Sequence, residues 1–150
     1  MSISQTATTS FKIELLQGVH NFGPTSPNTF KIALFTAAAS IGPTTTQYAS
    51  GMTGEVSGTG YSAGGNTLTI SLSPTSGNNS SNVPTAYISF NNTTWSNATF
   101  TARGALIYNL TQGNKSVAVL DFGSDKTVSN DIFTITFPSP DANSAIVRIS

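Results

Sequence analysis

The strongest constraint in this chain is a repeat of two. Apolar and polar side chains alternate in short runs, and clusters of Gly, Pro, Asn and Ser separate the runs. Thr67–Leu72 puts Leu68, Ile70 and Leu72 on one face, and Ala86–Phe90 puts Ala86, Ile88 and Phe90 opposite Tyr87. Ala105–Tyr108, Val117–Phe122, Ile132–Phe137 and Ala145–Ile149 are runs of the same kind. In Phe30–Thr36, Phe30, Ile32 and Leu34 share one face while Phe35 takes the other, which suits a mostly buried strand. Successive strand side chains point to opposite faces. Seven such runs with turn signals between them predict an all-β fold, an antiparallel β-sandwich or a jelly-roll-like barrel. No strand–helix–strand rhythm occurs, which argues against a doubly wound sheet.

One segment has a different period. Phe11, Leu15, Val19 and Phe22 recur at helical spacing, with Ile13 and Leu16 alongside. They predict a short N-terminal helix capped by Ser10 and weakened at its far end by Gly18. A strand with Phe11, Ile13 and Leu15 on one face is the competing reading. After Met1, residues 2–10 are Ser, Thr, Gln and Ala with one large apolar side chain, Ile3, and 1–10 read as an arm. The chain thus divides into an arm at 1–10 and a single β-sandwich domain at 11–150. The arm is expected to be mobile alone and ordered against a neighbour with Ile3 as anchor, or else frayed throughout. Residues 37–61 lack periodicity and read as an exposed functional loop or an unresolved short element. Residues 74–84 read as a loop, and 111–115 and 123–126 as hairpin-like connections.

Composition removes several functions. There is no cysteine, which excludes disulfides, zinc–thiolate sites and cysteine nucleophiles. Only 8% of residues are charged and the formal net charge is zero, so no basic excess exists to capture nucleic acid. Ser, Thr and Asn make up 57 of the 150 residues, a surface that is wet without carrying a field and that suits a fixed place in an assembly. The N-terminus lacks the pattern of a secretory signal, and no apolar run approaches the roughly 20 residues that span a bilayer, so no membrane partner is expected.

The candidate sites each have a plain structural reading. The segment Gly58–Gly65 precedes a period-two strand rather than a helix, so its glycines serve tight reversals, not phosphate binding. His20 is the sole histidine, which excludes two-histidine metal motifs and makes histidine-based catalysis a poor fit. Asp121, Asp125 and Asp131 surround one predicted turn that could hold calcium, but their spacing is not that of an EF-hand loop. Glycosidase chemistry would need two of Glu14, Glu55, Asp121, Asp125, Asp131 and Asp141 across one cleft. Trp95 lies in a polar segment, either to anchor a partner or stack on a sugar, or to plug the open end of a sandwich. Arg103, one of two arginines, opens an apolar strand, where such a charge is paired with a carboxylate within the fold or across an interface. No catalytic, cofactor or metal residue is assigned. Ile3, Trp95 and Arg103 are the candidate partner-interface residues.

Several segments together resemble a family of small virion structural proteins of tailed bacteriophages. They are Phe11–Leu16 with Gly18, His20 and Phe22; Thr29–Thr36; Gly54–Tyr61 with Gly64 and Gly65; Ala102–Asn109; and Ala118–Gly123. The resemblance runs from about Phe11 to the C-terminus. It implies a non-enzymatic virion protein, made in the host cytoplasm and carried on the particle. The first expectation is a capsid decoration or cement protein on the outer capsid surface, by analogy a homotrimer, bound to the major capsid protein. The second is a tail or tail-fibre component binding a host receptor or glycan through aromatics such as Trp95, Tyr48 or Tyr61. The family transfers no catalytic, cofactor or metal residues.

Overall fold

A computed structural model describes residues 2–150. It shows an all-β sandwich with one short helix. The elements are β1 (Thr6–Ala7), α1 (Thr9–Leu16), β2 (Phe30–Phe35), β3 (Asn66–Leu68), β4 (Ile70–Asn78), β5 (Pro84–Phe90), β6 (Thr93–Asn109), β7 (Lys115–Ile135) and β8 (Val147–Ile149). One sheet has the order β1-β7-β6-β2-β3 and the other the order β4-β5-β8. All pairings between these strands are antiparallel.

The centre of the larger sheet, along β2 and the second half of β6, is buried on both faces. Toward the smaller sheet it presents Ile32, Leu34, Ala105 and Ile107, which join Phe30, Phe90, Phe100 and Phe133 in the main core. Phe22 stacks on Phe30 with ring centroids 4.4 Å apart, and Phe90 tilts against Phe30 at 5.8 Å. On the opposite face Ala33, Phe35, Leu106, Tyr108 and Val119 form a second cluster with Ala39, Ile41 and Tyr48. The long segment expected as an exposed loop or an unresolved short element is therefore a cover. It lacks periodicity because it meets the sheet's strands only at isolated bridges, Glu55 with Phe35, Gln47 with Lys115 and Thr59 with Thr99.

Other expectations shift for identifiable reasons. The helix spans Thr9–Leu16 and is capped by Thr8, not Ser10; the Thr8 side chain accepts the Phe11 N–H. Gly18, at φ +71°, ends it in a Schellman motif, with Gly18 N–H on Leu15 C=O and Val19 N–H on Glu14 C=O. Val19 and Phe22 thus lie beyond the helix, and the helix buries Phe11 and Glu14 while Leu16 is 92% exposed. The run 67–72 divides at Thr69 between the two sheets, as β3 and β4. The loop 74–84 shrinks to 79–83, since β4 continues through Pro74, which an edge strand tolerates.

The proposed hairpin at 123–126 is a bulge inside β7. Ala102 faces Lys126 and Gly104 faces Asp121, so β7 carries four residues between partners where β6 carries one. Gly123, at φ +76°, and its N–H bond to Asp121 Oδ1 turn the extra residues outward. The arm also finds its strand partner in its own chain. Thr6 and Ala7 pair with Val119 and Ala118, and Ser2–Ser4 bonds Ile41 from both sides. The exposed sheet edge expected on a neighbour is supplied by β7.

Gly65 tests the closeness of β3 to β2. It sits at φ +69°, and a Cβ there would fall on the Ile32 carbonyl. Gly113 has the same φ but open space around it. Both Ala substitutions incur the left-handed cost of about 1–2 kcal/mol. Gly113→Ala should lose only that in urea unfolding, and Gly65→Ala more than about 4 kcal/mol. Equal losses would refute the close approach.

Candidate functional site

Two carboxylates turn inward, and each is surrounded by the chain's own donors. Glu55 follows the turn at Gly54 and faces Tyr48, Tyr61 and the glycine-rich segment. Its Oε1 accepts the Gly64 N–H at 2.6 Å and the Tyr61 hydroxyl at 2.9 Å, and its Oε2 accepts the Tyr48 hydroxyl at 3.0 Å. The Tyr61 oxygen accepts the Leu34 N–H at 3.0 Å, and the Tyr108 hydroxyl donates to Gly64 C=O at 2.7 Å. Tyr48 stacks on Tyr108 with centroids 4.6 Å apart. The cluster ties residues 48–64 to β2 and β6. Burial, then the Glu55 hydrogen bond and charge, push the Tyr48 phenol up to about 12. Burial first, with the Glu55 charge adding, also raises Tyr61 and Tyr108.

The second carboxylate, Glu14, joins α1 to the turn between β6 and β7. Its Oε2 lies 2.7 Å from His20 Nε2, and Lys115 Nζ donates to its Oε1 at 3.2 Å. Asn109 is fully buried; its Oδ1 accepts the Gln112 N–H, and its Nδ2 donates to Asn28 Oδ1 at 2.9 Å. The second Nδ2 hydrogen points at His20 Nδ1, 2.9 Å away. The ring is therefore held as the tautomer in which Nδ1 accepts and Nε2 donates to Glu14. His20 closes a structural network.

The three interface candidates are not brought together as one exposed patch. Trp95 is 3% exposed within β6, not on a loop. It packs against Tyr61 and Phe133, and its buried Nε1 has no hydrogen-bond partner, at a cost of about 1–3 kcal/mol. Arg103 lies mid-strand in β6, since the strand starts ten residues before it; its Nε donates to Asp121 Oδ1 at 3.3 Å. The Gly123 N–H first, then Arg103, hold Asp121 below the usual carboxylate range. Ile3 packs near Arg103, where both line a small surface groove with Ala37. Asp121, Asp125 and Asp131 are spread along β7 instead of around a turn. Among the described residues no group of three or more His, Cys, Asp or Glu could hold a metal ion. No helix among them is long and apolar enough to cross a membrane.

The sequence carried little sign of either network. Glu55 was visible only as one of six carboxylates beside a glycine-rich string, and Asn109 only as part of an Asn-x-Thr tripeptide. The Asn109 partners His20 and Asn28 lie 89 and 81 residues away, which no local pattern reports.

Both networks have solution signatures. Raised tyrosine pKa values favour the folded state below pH 10, where both states hold the proton. Stability should then fall as pH rises from about 10 through about 12, because the unfolded chain releases protons first. Glu55→Gln should move the onset of tyrosinate absorbance to lower pH; an unchanged onset would remove Glu55 as a cause. For the neutral His20 ring, nitrogen NMR should show the Nε2–H tautomer, and Asn109→Asp, which replaces a donor by an acceptor, should shift it toward Nδ1–H. An Nδ1–H tautomer in the wild type would invert the assignment.

In comparisons with known proteins, the chain matches no family model, no curated protein and no solved structure.

Proposed function

We propose that this protein is a non-enzymatic structural component of a tailed-bacteriophage virion. It is a capsid decoration or cement protein, working as a homotrimer on the outer surface of the assembled major-capsid lattice. The observation that carries this reading is the use made of its inward-facing acids. Glu14 and Glu55 have their lone pairs filled by His20, Lys115, Tyr48, Tyr61 and Gly64, so they fasten loops to strands instead of facing a substrate cleft. A charge-poor, hydroxyl-rich sandwich is a rigid body with much surface for permanent contact. The resemblance of the segments around Phe11–Leu16, Gly54–Tyr61 and Ala102–Asn109 supplies the virion setting.

The mechanism is binding free energy alone. A protein that binds the assembled shell and not its dissociated subunits stabilises the shell by mass action. An interface of about 1,600 Å² per contact, repeated over identical copies, would multiply a modest gain. The tail alternative, with sugars stacking on Trp95, Tyr48 or Tyr61, has less support. Trp95 and Tyr48 are buried and Tyr61 is half-buried against Trp95 and Phe100.

Particles stripped of this protein should disrupt at lower temperature than complete ones, and adding it back should restore them. Unchanged disruption temperature would overturn the cement role. Copy number separates the locations: on the order of hundreds per particle fits a capsid lattice, about a dozen a tail ring.

A further inference from the structure

The orientation of the buried Asn109 carboxamide is dictated by the backbone. Its Oδ1 accepts the Gln112 N–H, and a backbone nitrogen can only donate. Its Nδ2 therefore faces two acceptors, Asn28 Oδ1 and His20 Nδ1, each at 2.9 Å. Asn28 is fixed in the same way, because its Oδ1 also accepts the Asn21 N–H at 2.9 Å. A row of oriented groups thus runs from the fully buried His20 side chain to two backbone amides. Gln112 lies in the connection between β6 and β7, and Asn21 in the one between α1 and β2. The two connections meet at this end of the sandwich, where the Leu110 N–H also bonds Thr29 C=O.

Histidine is the side chain that ordinarily gains a proton between about pH 8 and about pH 5. Here the added proton goes on Nδ1, since Nε2 already carries one toward Glu14 Oε2. Nδ1–H then points at Asn109 Nδ2, donor against donor. Turning the Asn109 carboxamide over presents Oδ1 to His20, but it sets Nδ2 against the Gln112 N–H and Oδ1 against Asn28 Oδ1. Asn28 can answer only by turning as well, and its Nδ2 then meets the Asn21 N–H. We propose that His20 is the input of a proton switch whose output is the release of the Gln112 and Asn21 amides. Acid loosens the two connections together, while the ladder of β6 with β2 and β7 stays intact.

The other groups around the ring leave the Nδ1 side to Asn109. Glu14 of α1 accepts from Nε2 in either state and favours the cation, and Lys115 of β7, 3.2 Å from the other Glu14 oxygen, opposes it. Tyr87 of β5 lines the same groove as His20, and the Phe11 ring meets the imidazole edge-on with centroids 4.9 Å apart. Among the described residues only Asn109 bonds Nδ1. The switch belongs to the chain by itself, so its failure leaves the virion reading untouched.

The experiment is proton NMR with amide hydrogen exchange on the full chain, from about pH 8 to about pH 5. The His20 Cε1 proton should shift with pH. Exchange at Gln112 and Asn21, corrected for its intrinsic pH dependence, should quicken about tenfold or more with the same midpoint. Ile107, inside the β6 ladder, should not follow. His20→Gln removes the input and should leave both amides flat. Asn28→Ala keeps His20 and Asn109; it should free Asn21 at every pH and leave Gln112 responding. Where circular dichroism shows His20→Gln to be unfolded, the wild type and Asn28→Ala decide. A His20 that titrates while both amides stay flat would overturn the proposal, as would a ring that stays neutral until the protein unfolds. So would either amide still responding in folded His20→Gln, or Asn21 still following the His20 midpoint in Asn28→Ala.

Discussion

The centre of the larger sheet carries large apolar side chains on both faces, and the rest of the chain is arranged around that burden. Along β2 the alternation Ile32-Ala33-Leu34-Phe35 leaves no face for water, and Ala105–Tyr108 of β6 is buried residue by residue. A large apolar side chain fully buried is worth about 1.5–3 kcal/mol over the same group exposed. Two covers are therefore needed. The smaller sheet with its phenylalanines supplies one. The other comes from residues 37–65 and the N-terminal arm, which bring Ile3, Ile41, Tyr48 and Met52 over Phe35 and Leu106. A cover held to the sheet's backbone only at isolated points needs side chains to pin it further. The Glu55 cluster is that pin, and Gly65 lets the returning chain close against β2.

Hydrogen bonds to a charged acceptor contribute about 1.5–3 kcal/mol each, against about 1 for a neutral pair. Placing one carboxylate under each irregular connection is thus economical: Glu55 holds the cover, and Glu14 holds α1 against the β6–β7 turn. Leaving either carboxylate with unfilled lone pairs in its half-dry setting would be costly. Glu55 takes donors six to nine residues along the chain, while Glu14 takes His20 six residues on and Lys115 from across the fold. Thr8 extends the same logic at the helix start. Buried, it caps Phe11 and shares a hydroxyl cluster with Ser116, whose Oγ donates to Thr45 C=O.

What the sequence made legible was whatever rests on neighbouring residues. Leu68, Ile88 and Phe90 lie in the core as the period-two pattern required, and Phe35 on the opposite face of β2 marked the doubly buried strand. The chain reversal at 111–115 fell where its turn residues placed it, between β6 and β7. The failures share one cause. Gly123-Ser124-Asp125-Lys126 has the composition of a turn, yet the β6 partner continues past it, and the ladder turns the string into a bulge. Asn91–Asn97 reads as polar linker, yet opposite Phe133 its Trp95 is a core residue. Ser10 and Thr8 are equally good caps locally; Thr8 is the one the fold buries, with its hydroxyl on the Phe11 N–H.

A long strand with one empty flank is a hazard, because its free N–H and C=O groups can template indiscriminate pairing. Here the flank of β7 is managed piece by piece. Gln5 Oε1 accepts the Asp121 N–H, Asp121 accepts that of Gly123, and Asp131 accepts that of Ile132. The bulge at 122–125 breaks the regular register, and Pro74 does similar service on the opposite edge strand, β4. With so few charged residues, repulsion between copies offers little protection. Asp121 and Asp131 each block one backbone donor and fix one negative charge at a defined position. A flank with these N–H groups taken offers fewer donors for strand addition, a protection that a chain with so few charges does not get from repulsion.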